Sequence, residues 1–245
     1  EQNDKAGEIA DYSRAIQTNP QYANAYYNRG NAKSALGDKA GAIADFSSVI
    51  LTNPQNADAY FNRGNAKSVL GDNAGAIADF SSVILINPQN ADAYFNRGTV
   101  KVILGDKAGA IVDYSRAIQI NPQYANAYSN RGVAKSDLGD KAGAMADFNQ
   151  AIQINPQHAE AYSNRGNAKS ALGDKAGAMA DLNQAIQINP QYADAYVNRG
   201  IAKSDMGDKA GAIADYSSAI QIDPQNAKAY YNRGNAKSAL GDKAG

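Results

Sequence analysis

The polar residues of this chain recur in register, and the recurrence bears on what chemistry they could do. Arginine stands at Arg29 and Arg63 and so on to Arg233, each followed four residues later by a lysine of the Lys33 to Lys237 series, and both series step by 34 residues. Aspartate steps with them, as Asp11, Asp45, Asp79, Asp113, Asp147, Asp181 and Asp215. Two cations and a carboxylate could do acid–base work or form a structural ion pair. A partly buried cation without a partner is costly, and structural pairs imitate the perturbed groups of active sites. The reading taken is a charge ladder in which Arg29 and Lys33 pair with an aspartate of the Asp45 series between neighbouring helices. A fourth series is Asn28, Asn62, Asn96, Asn130, Asn164, Asn198 and Asn232. A side-chain amide offers a donor and an acceptor, so a row of amides could bond the N–H and C=O groups of an extended peptide whatever its sequence. Each amide could instead bond a neighbouring helix or face water.

Little else in the composition supports chemistry. The chain has one histidine, His158, and no cysteine. No Ser-His-Asp arrangement is expected from the single histidine, and without cysteine there is no thiolate metal site and no cysteine nucleophile. His158 aligns with Tyr22, Tyr124 and Tyr192 and reads as an exposed loop residue. No phosphate-binding loop is present, so neither catalytic residues, nor a metal, nor a cofactor is expected. Lys plus Arg equals Asp plus Glu at 24 each, which leaves no net field to hold nucleic acid or an anionic membrane. The longest apolar run, Val83 to Ile86, is too short to span a bilayer. Cytoplasm is the default compartment, although the chain begins at Glu1 and a targeting segment could lie outside it.

The elements that must carry these series follow from the same period. Seven prolines, from Pro20 to Pro224, stand 34 residues apart, and 245 residues make seven such periods with seven residues over. An internal repeat of this length sets the fold by stacking. In the stretch from Ala23 to Asn56, two helix-favouring segments are separated by Gly37-Asp38 and closed by Asn53-Pro54. Ala42, Ile43, Phe46, Val49 and Ile50 share one stripe of the second helix. Asp38 is placed to cap that helix, Gly37 to end the first in a left-handed conformation, and Pro54 to stop the second. On the first helix Tyr26, Ala32 and Leu36 can pack, and Gly30 leaves room for a close approach. Met145, Met179 and Met206 replace core residues of the Ile43 and Leu36 types. So small a hairpin cannot cover its own apolar face, and stability must come from neighbours.

The segment AYYNRGNAKSALGDKAGAIADFSSVILTNP resembles the tetratricopeptide repeat in Tyr26, Gly30, Leu36, Gly37, Ala42, Phe46 and Pro54. The resemblance extends over essentially the whole chain. It implies an all-α fold, a right-handed superhelical solenoid of 34-residue helix-turn-helix repeats whose first helices line a concave groove. A single array over 1–245 is expected, with full repeats at 23–56, 57–90, 91–124, 125–158, 159–192 and 193–226. Residues 1–22 and 227–245 then hold a lone second and a lone first helix. Arg29 and Lys33 depart from the family, which usually has a packing leucine and a packing aromatic there. The repeat style is similar to bacterial, particularly cyanobacterial, members. DKAG at Asp242 to Gly245 repeats DKAG at Asp4 to Gly7. Two explanations are open: a fragment of a longer array, or head-to-tail contact between the split repeats of two molecules, which would propagate as a heterologous interface.

The resemblance places the stripe Asn24, Tyr27, Asn28, Asn31, Ser34 and Ala35, with its equivalents such as Asn65, on the groove. The asparagine row resembles the ladder in the repeat domain of O-linked N-acetylglucosamine transferase, which implies recognition of a partner's backbone. Phe61, Val69, Phe95, Val102 and Ile103 make two repeats more apolar than the rest and form a candidate anchor pocket, or else ordinary packing between first helices. The family's carboxylate clamp is not matched: its places hold Tyr27, Asp92 and Asn96, with only Asn31 and Asn62 retained. The expected function is a non-enzymatic scaffold that holds an extended segment of another protein. The alternatives are self-assembly through the split repeats and the substrate-gripping arm of an enzyme.

Overall fold

The computed structural model describes residues 2–241, with the side chains of residues 5–241. Asp242 to Gly245, half of the matching DKAG pair, lie outside the described residues. Fourteen α-helices and no strand occur among the described residues: α1 (Gln2–Thr18), α2 (Ala23–Ala35), α3 (Lys39–Thr52), α4 (Ala57–Val69), α5 (Asn73–Ile86), α6 (Ala91–Ile103) and α7 (Lys107–Ile120), then α8 (Ala125–Asp137), α9 (Lys141–Ile154), α10 (Ala159–Ala171), α11 (Lys175–Ile188), α12 (Ala193–Asp205), α13 (Lys209–Ile222) and α14 (Ala227–Ala239). Every even-numbered helix is a first helix of the repeat, and every odd-numbered one a second.

The stops and starts are local chemistry. Gly37 and its six equivalents take φ between 78 and 91°, the left-handed turn that spares a side chain its clash. The next residue, Asp38, accepts the Gly41 N–H at 2.8 Å and caps α3. A Cβ on residue 41 would lie 2.1 Å from that carboxylate, so the cap demands the glycine. Asn56 and Asn90 cap α4 and α6 in the same way, through the N–H groups of Ala59 and Ala93.

Two compact units divide the chain, Glu1–Pro122 and Gln123–Gly245. In the first, Phe46, Phe80 and Tyr114 fill the centre of each helix pair and are almost wholly buried. Each ring lies against the backbone of its first helix, where a Cβ on Gly30, Gly64 or Gly98 would come within 3.0 Å of a ring carbon. Tyr27, Phe61 and Phe95 close the other side, with ring centroids 5.7–5.9 Å away. In the second unit Phe148, Leu182 and Tyr216 hold the central place, but Ser129, Ser163 and Val197 stand where the first unit has its outer rings, and all three are buried. The apolar core is thus built twice, with aromatic pairs in one unit and smaller side chains in the other.

One packing expectation is corrected. Leu36 and its equivalents Leu70, Leu104, Leu138, Leu172, Met206 and Leu240 are 41–57% exposed, not core residues. Each follows the last residue of a first helix and precedes the glycine turn, so its side chain leaves at the rim of the hairpin.

Candidate functional site

The charge series forms the expected ladder and adds two partners. Arg29 donates from Nε and Nη2 to both oxygens of Asp45, at 2.9 and 2.7 Å, and Lys33 meets Asp45 at 2.8 Å. The same fork joins Arg63 to Asp79, Arg97 to Asp113, Arg131 to Asp147, Arg165 to Asp181 and Arg199 to Asp215. All six aspartates are 2–4% exposed. Hydrogen bonding to Asp113 holds the Arg97 guanidinium above its usual pKa against the opposing effect of burial. The remaining Nη1 of Arg29 donates to Ser13 on α1, and that of Arg165 to Asn149 on α9. A tyrosine three residues before each arginine faces the guanidinium, with Tyr26 5.6 Å from the Arg29 carbon. One arginine therefore ties its own hairpin to the preceding second helix. A serine or asparagine 16 residues before an arginine was the unread signal for this third contact.

The asparagine row lies on the first helices, where neighbours face one another. Asn62 Nδ2 donates to Tyr27 Oη and to Asn31 Oδ1, both at 3.1 Å. Asn96 donates to Asn65 Oδ1 at 3.1 Å, and in the second unit Asn198 donates to Ser163 Oγ at 3.1 Å. Both alternatives left open by the sequence bear on these residues: they bond a neighbouring helix, and they stay half-buried rather than enclosed. Asn28 is exposed, while Asn130, Asn164 and Asn232 are half-buried. Phe61 and Phe95 are half-buried with Phe80 and Tyr114 behind them, Val102 is half-buried, and Val69 and Ile103 are well exposed. An apolar strip thus remains on α4 and α6.

In the second unit a cavity of about 200 Å³ opens beside the row. Val133 and Asp137 of α8, Lys141 and Phe148 of α9, and Asn164 and Asn167 of α10 line it.

His158 lies in the linker as expected but is half-buried rather than exposed. It precedes α10 as its N-cap, and its Nδ1 accepts the Ala161 N–H at 3.4 Å. Burial lowers its pKa, with the Glu160 carboxylate opposing. Tyr192, one repeat later, is pushed up to about 12 by burial, helped by Glu160 and Asp194. A folded His158 that resists protonation gives a definite pH dependence. Between the lowered folded pKa and the ordinary 6.5 the unfolded chain binds more protons, so stability is full above about 6.5 and falls as the pH drops through that window. His158→Asn, which copies the Asn56 cap, should abolish this loss. The check is the difference between parent and variant in denaturant midpoint at pH 7.5 and pH 5.

With the hairpins and their ladder established, comparison with known proteins gives the family. A model described as TPR repeat matches residues 2–37, 100–139, 134–173, 170–207 and 205–241, and one described as Tetratricopeptide repeat matches residues 27–84. The matches span well over half of the sequence, and the chain belongs to the tetratricopeptide repeat family. No protein with a curated description matches it. Among solved structures it is similar to MamA protein, at 26% identity and a TM-score of 0.63, over 70% of this chain and 93% of that one. It is also similar to YrrB, described as a TPR protein with an unusual peptide-binding site, at 21% identity and 0.59, over 77% and 97%. A tetratricopeptide repeat protein from Parabacteroides merdae aligns at 21% identity and 0.75, over 96% and 93%. The latter two show the fold alone. Neither matching family model describes an enzyme, and no helix among the described residues is long and apolar enough to cross a membrane.

Proposed function

We propose that this chain is a protein-interaction scaffold that holds an extended segment of another protein along the face made by its first helices. The observation that carries the reading is the orientation of the asparagine row. The neighbour bonds take both N–H groups of Asn62 and one each of Asn96 and Asn198, so all three amides keep the carbonyl oxygen and the latter two keep a second N–H. Such bonds hold an amide in one rotamer, and a group already held loses less entropy when a partner binds. Phe61, Phe95, Val102 and Ile103 would then choose side chains, on the partly exposed apolar strip of α4 and α6. The description of YrrB as peptide-binding is consistent precedent from the same fold. Replacing Asn96, Asn130 and Asn164 together with alanine should weaken binding to extended peptides on an array at least tenfold. Unchanged affinity would remove the row from recognition.

A second reading is association of copies through α14 and α1. Arg233 and Lys237 have no carboxylate partner among the described residues, while Asp11 is exposed where its six counterparts are buried. Light scattering across a concentration series should then show mass growing beyond the 25.8 kDa monomer, and Asp11→Arg should prevent it. A constant monomer mass would end this reading.

A further inference from the structure

Three buried polar atoms near the start of α10 lack a partner: Ser129 Oγ, His158 Nε2 and Asn164 Nδ2. One repeat later the same three positions are Ser163, Tyr192 and Asn198, and they satisfy one another. Asn198 donates to Ser163 Oγ at 3.1 Å, and Ser163 shares a hydrogen bond with the Tyr192 hydroxyl. The imidazole of His158 is shorter than a phenol and has no hydroxyl to offer. It also turns Nδ1 toward the Ala161 N–H, so the neutral ring carries its proton on Nε2 and presents a donor there. Val133 stands at the place from which Asn31 and Asn65 give Asn62 and Asn96 an acceptor. The Asn164 amide N–H groups, the His158 Nε2 donor and the Ser129 hydroxyl are therefore left unbonded, and Asn164 is one wall of the cavity over Phe148.

Leaving such groups unpaired costs about 1–3 kcal/mol each, and a single oxygen with two lone pairs matches the set. We propose that Asn164, Ser129 and His158 form a carbonyl-recognition site: a backbone C=O of the partner segment accepts from Asn164, and the adjoining side chain enters the cavity lined by Val133, Phe148 and Ala168. This rests on the scaffold reading and sharpens it. At Asn62, Asn96 and Asn198 at least one amide N–H is engaged with a neighbour; at Asn164 neither is, so the grip concentrates between α8 and α10.

The repeat itself supplies the test. His158→Tyr restores the tyrosine found at Tyr192, supplies Ser129 with its missing hydroxyl and closes the site without loss of fold. Blocked tripeptides of the form acetyl-Ala-Xaa-Ala-amide, with Xaa leucine, phenylalanine or asparagine, are titrated into 15N-labelled parent and variant. Saturable shifts of the Asn164 side-chain amide and the Ala168 backbone amide are expected in the parent. The His158→Tyr variant should bind at least tenfold more weakly while its denaturant midpoint stays equal or rises. Equal binding by the variant overturns the proposal, as does a parent in which Asn164 never shifts because an ordered water alone occupies the site. Shifts confined to Asn62, Asn96 and Asn130 would overturn the local site and keep the scaffold reading, whereas no shift on any first helix would remove both.

Discussion

Asp79→Ala should destabilise the first unit by about 3–5 kcal/mol, the cost of stranding buried charge. The carboxylate accepts two bonds from Arg63, at 2.7 and 2.9 Å, and meets Lys67 at 2.9 Å. Both cations are largely enclosed, with side chains 17 and 18% exposed. Alanine removes the acid that both cations share and leaves two charges where water reaches poorly. Guanidinium chloride unfolding of the parent and the variant measures the loss. The ladder as a whole is a different matter: replacing Arg63, Lys67 and Asp79 together with methionine, leucine and leucine takes the desolvation cost away along with the attraction. The triple variant should therefore be far more stable than Asp79→Ala. A small cost for Asp79→Ala would mean the cations find water or another partner, and the ladder would then lose its structural role.

How far this structure could be read in advance depends on whether a residue's partner lies inside one repeat or across two. The hairpin was legible because its signals are local: Asp38 caps three residues on, Gly37 turns at φ 88°, and Ala42, Phe46 and Val49 share a helical stripe and are buried together. The Arg29–Asp45 pair was legible because one series without the other makes no physical sense. Leu36 was misread because pattern gives a residue's helix face but not its distance from the hairpin rim. His158 was misread because alignment with tyrosines carried over their position and not the ring nitrogen that caps α10. The contacts of Asn62 and the unpaired atoms around Asn164 depend on residues 31 and 35 positions earlier, on a helix whose approach no single repeat specifies. Selection among those partners turns on small exchanges, Asn31 against Val133 and Tyr192 against His158, that leave the fold untouched.

The same dependence on neighbours governs the apolar core. Phe80→Ala is expected to cost about 3–5 kcal/mol, since a fully buried ring leaves a cavity that its surroundings fill only in part. Phe80 is 1% exposed, meets Phe61 with centroids 5.8 Å apart, and lies where a Cβ on Gly64 would touch it at 3.0 Å. Phe80→Leu should cost about 1.5 kcal/mol or less, because Leu182 already occupies the equivalent place, wholly buried against Gly166. Stability in a repeat array is roughly a sum of repeats and nearest-neighbour interfaces, so the loss should be local. Hydrogen exchange in α4 and α5 should quicken roughly a hundredfold or more, each 1.4 kcal/mol being tenfold, with smaller effects in α3 and α6. The companion Phe61→Ala separates packing from recognition. If Phe61 serves mainly the ring pair, the two variants should couple by about 0.5–1.5 kcal/mol in a double-mutant cycle. If it is an anchor for a partner, coupling should be slight, stability nearly kept, and peptide binding lost.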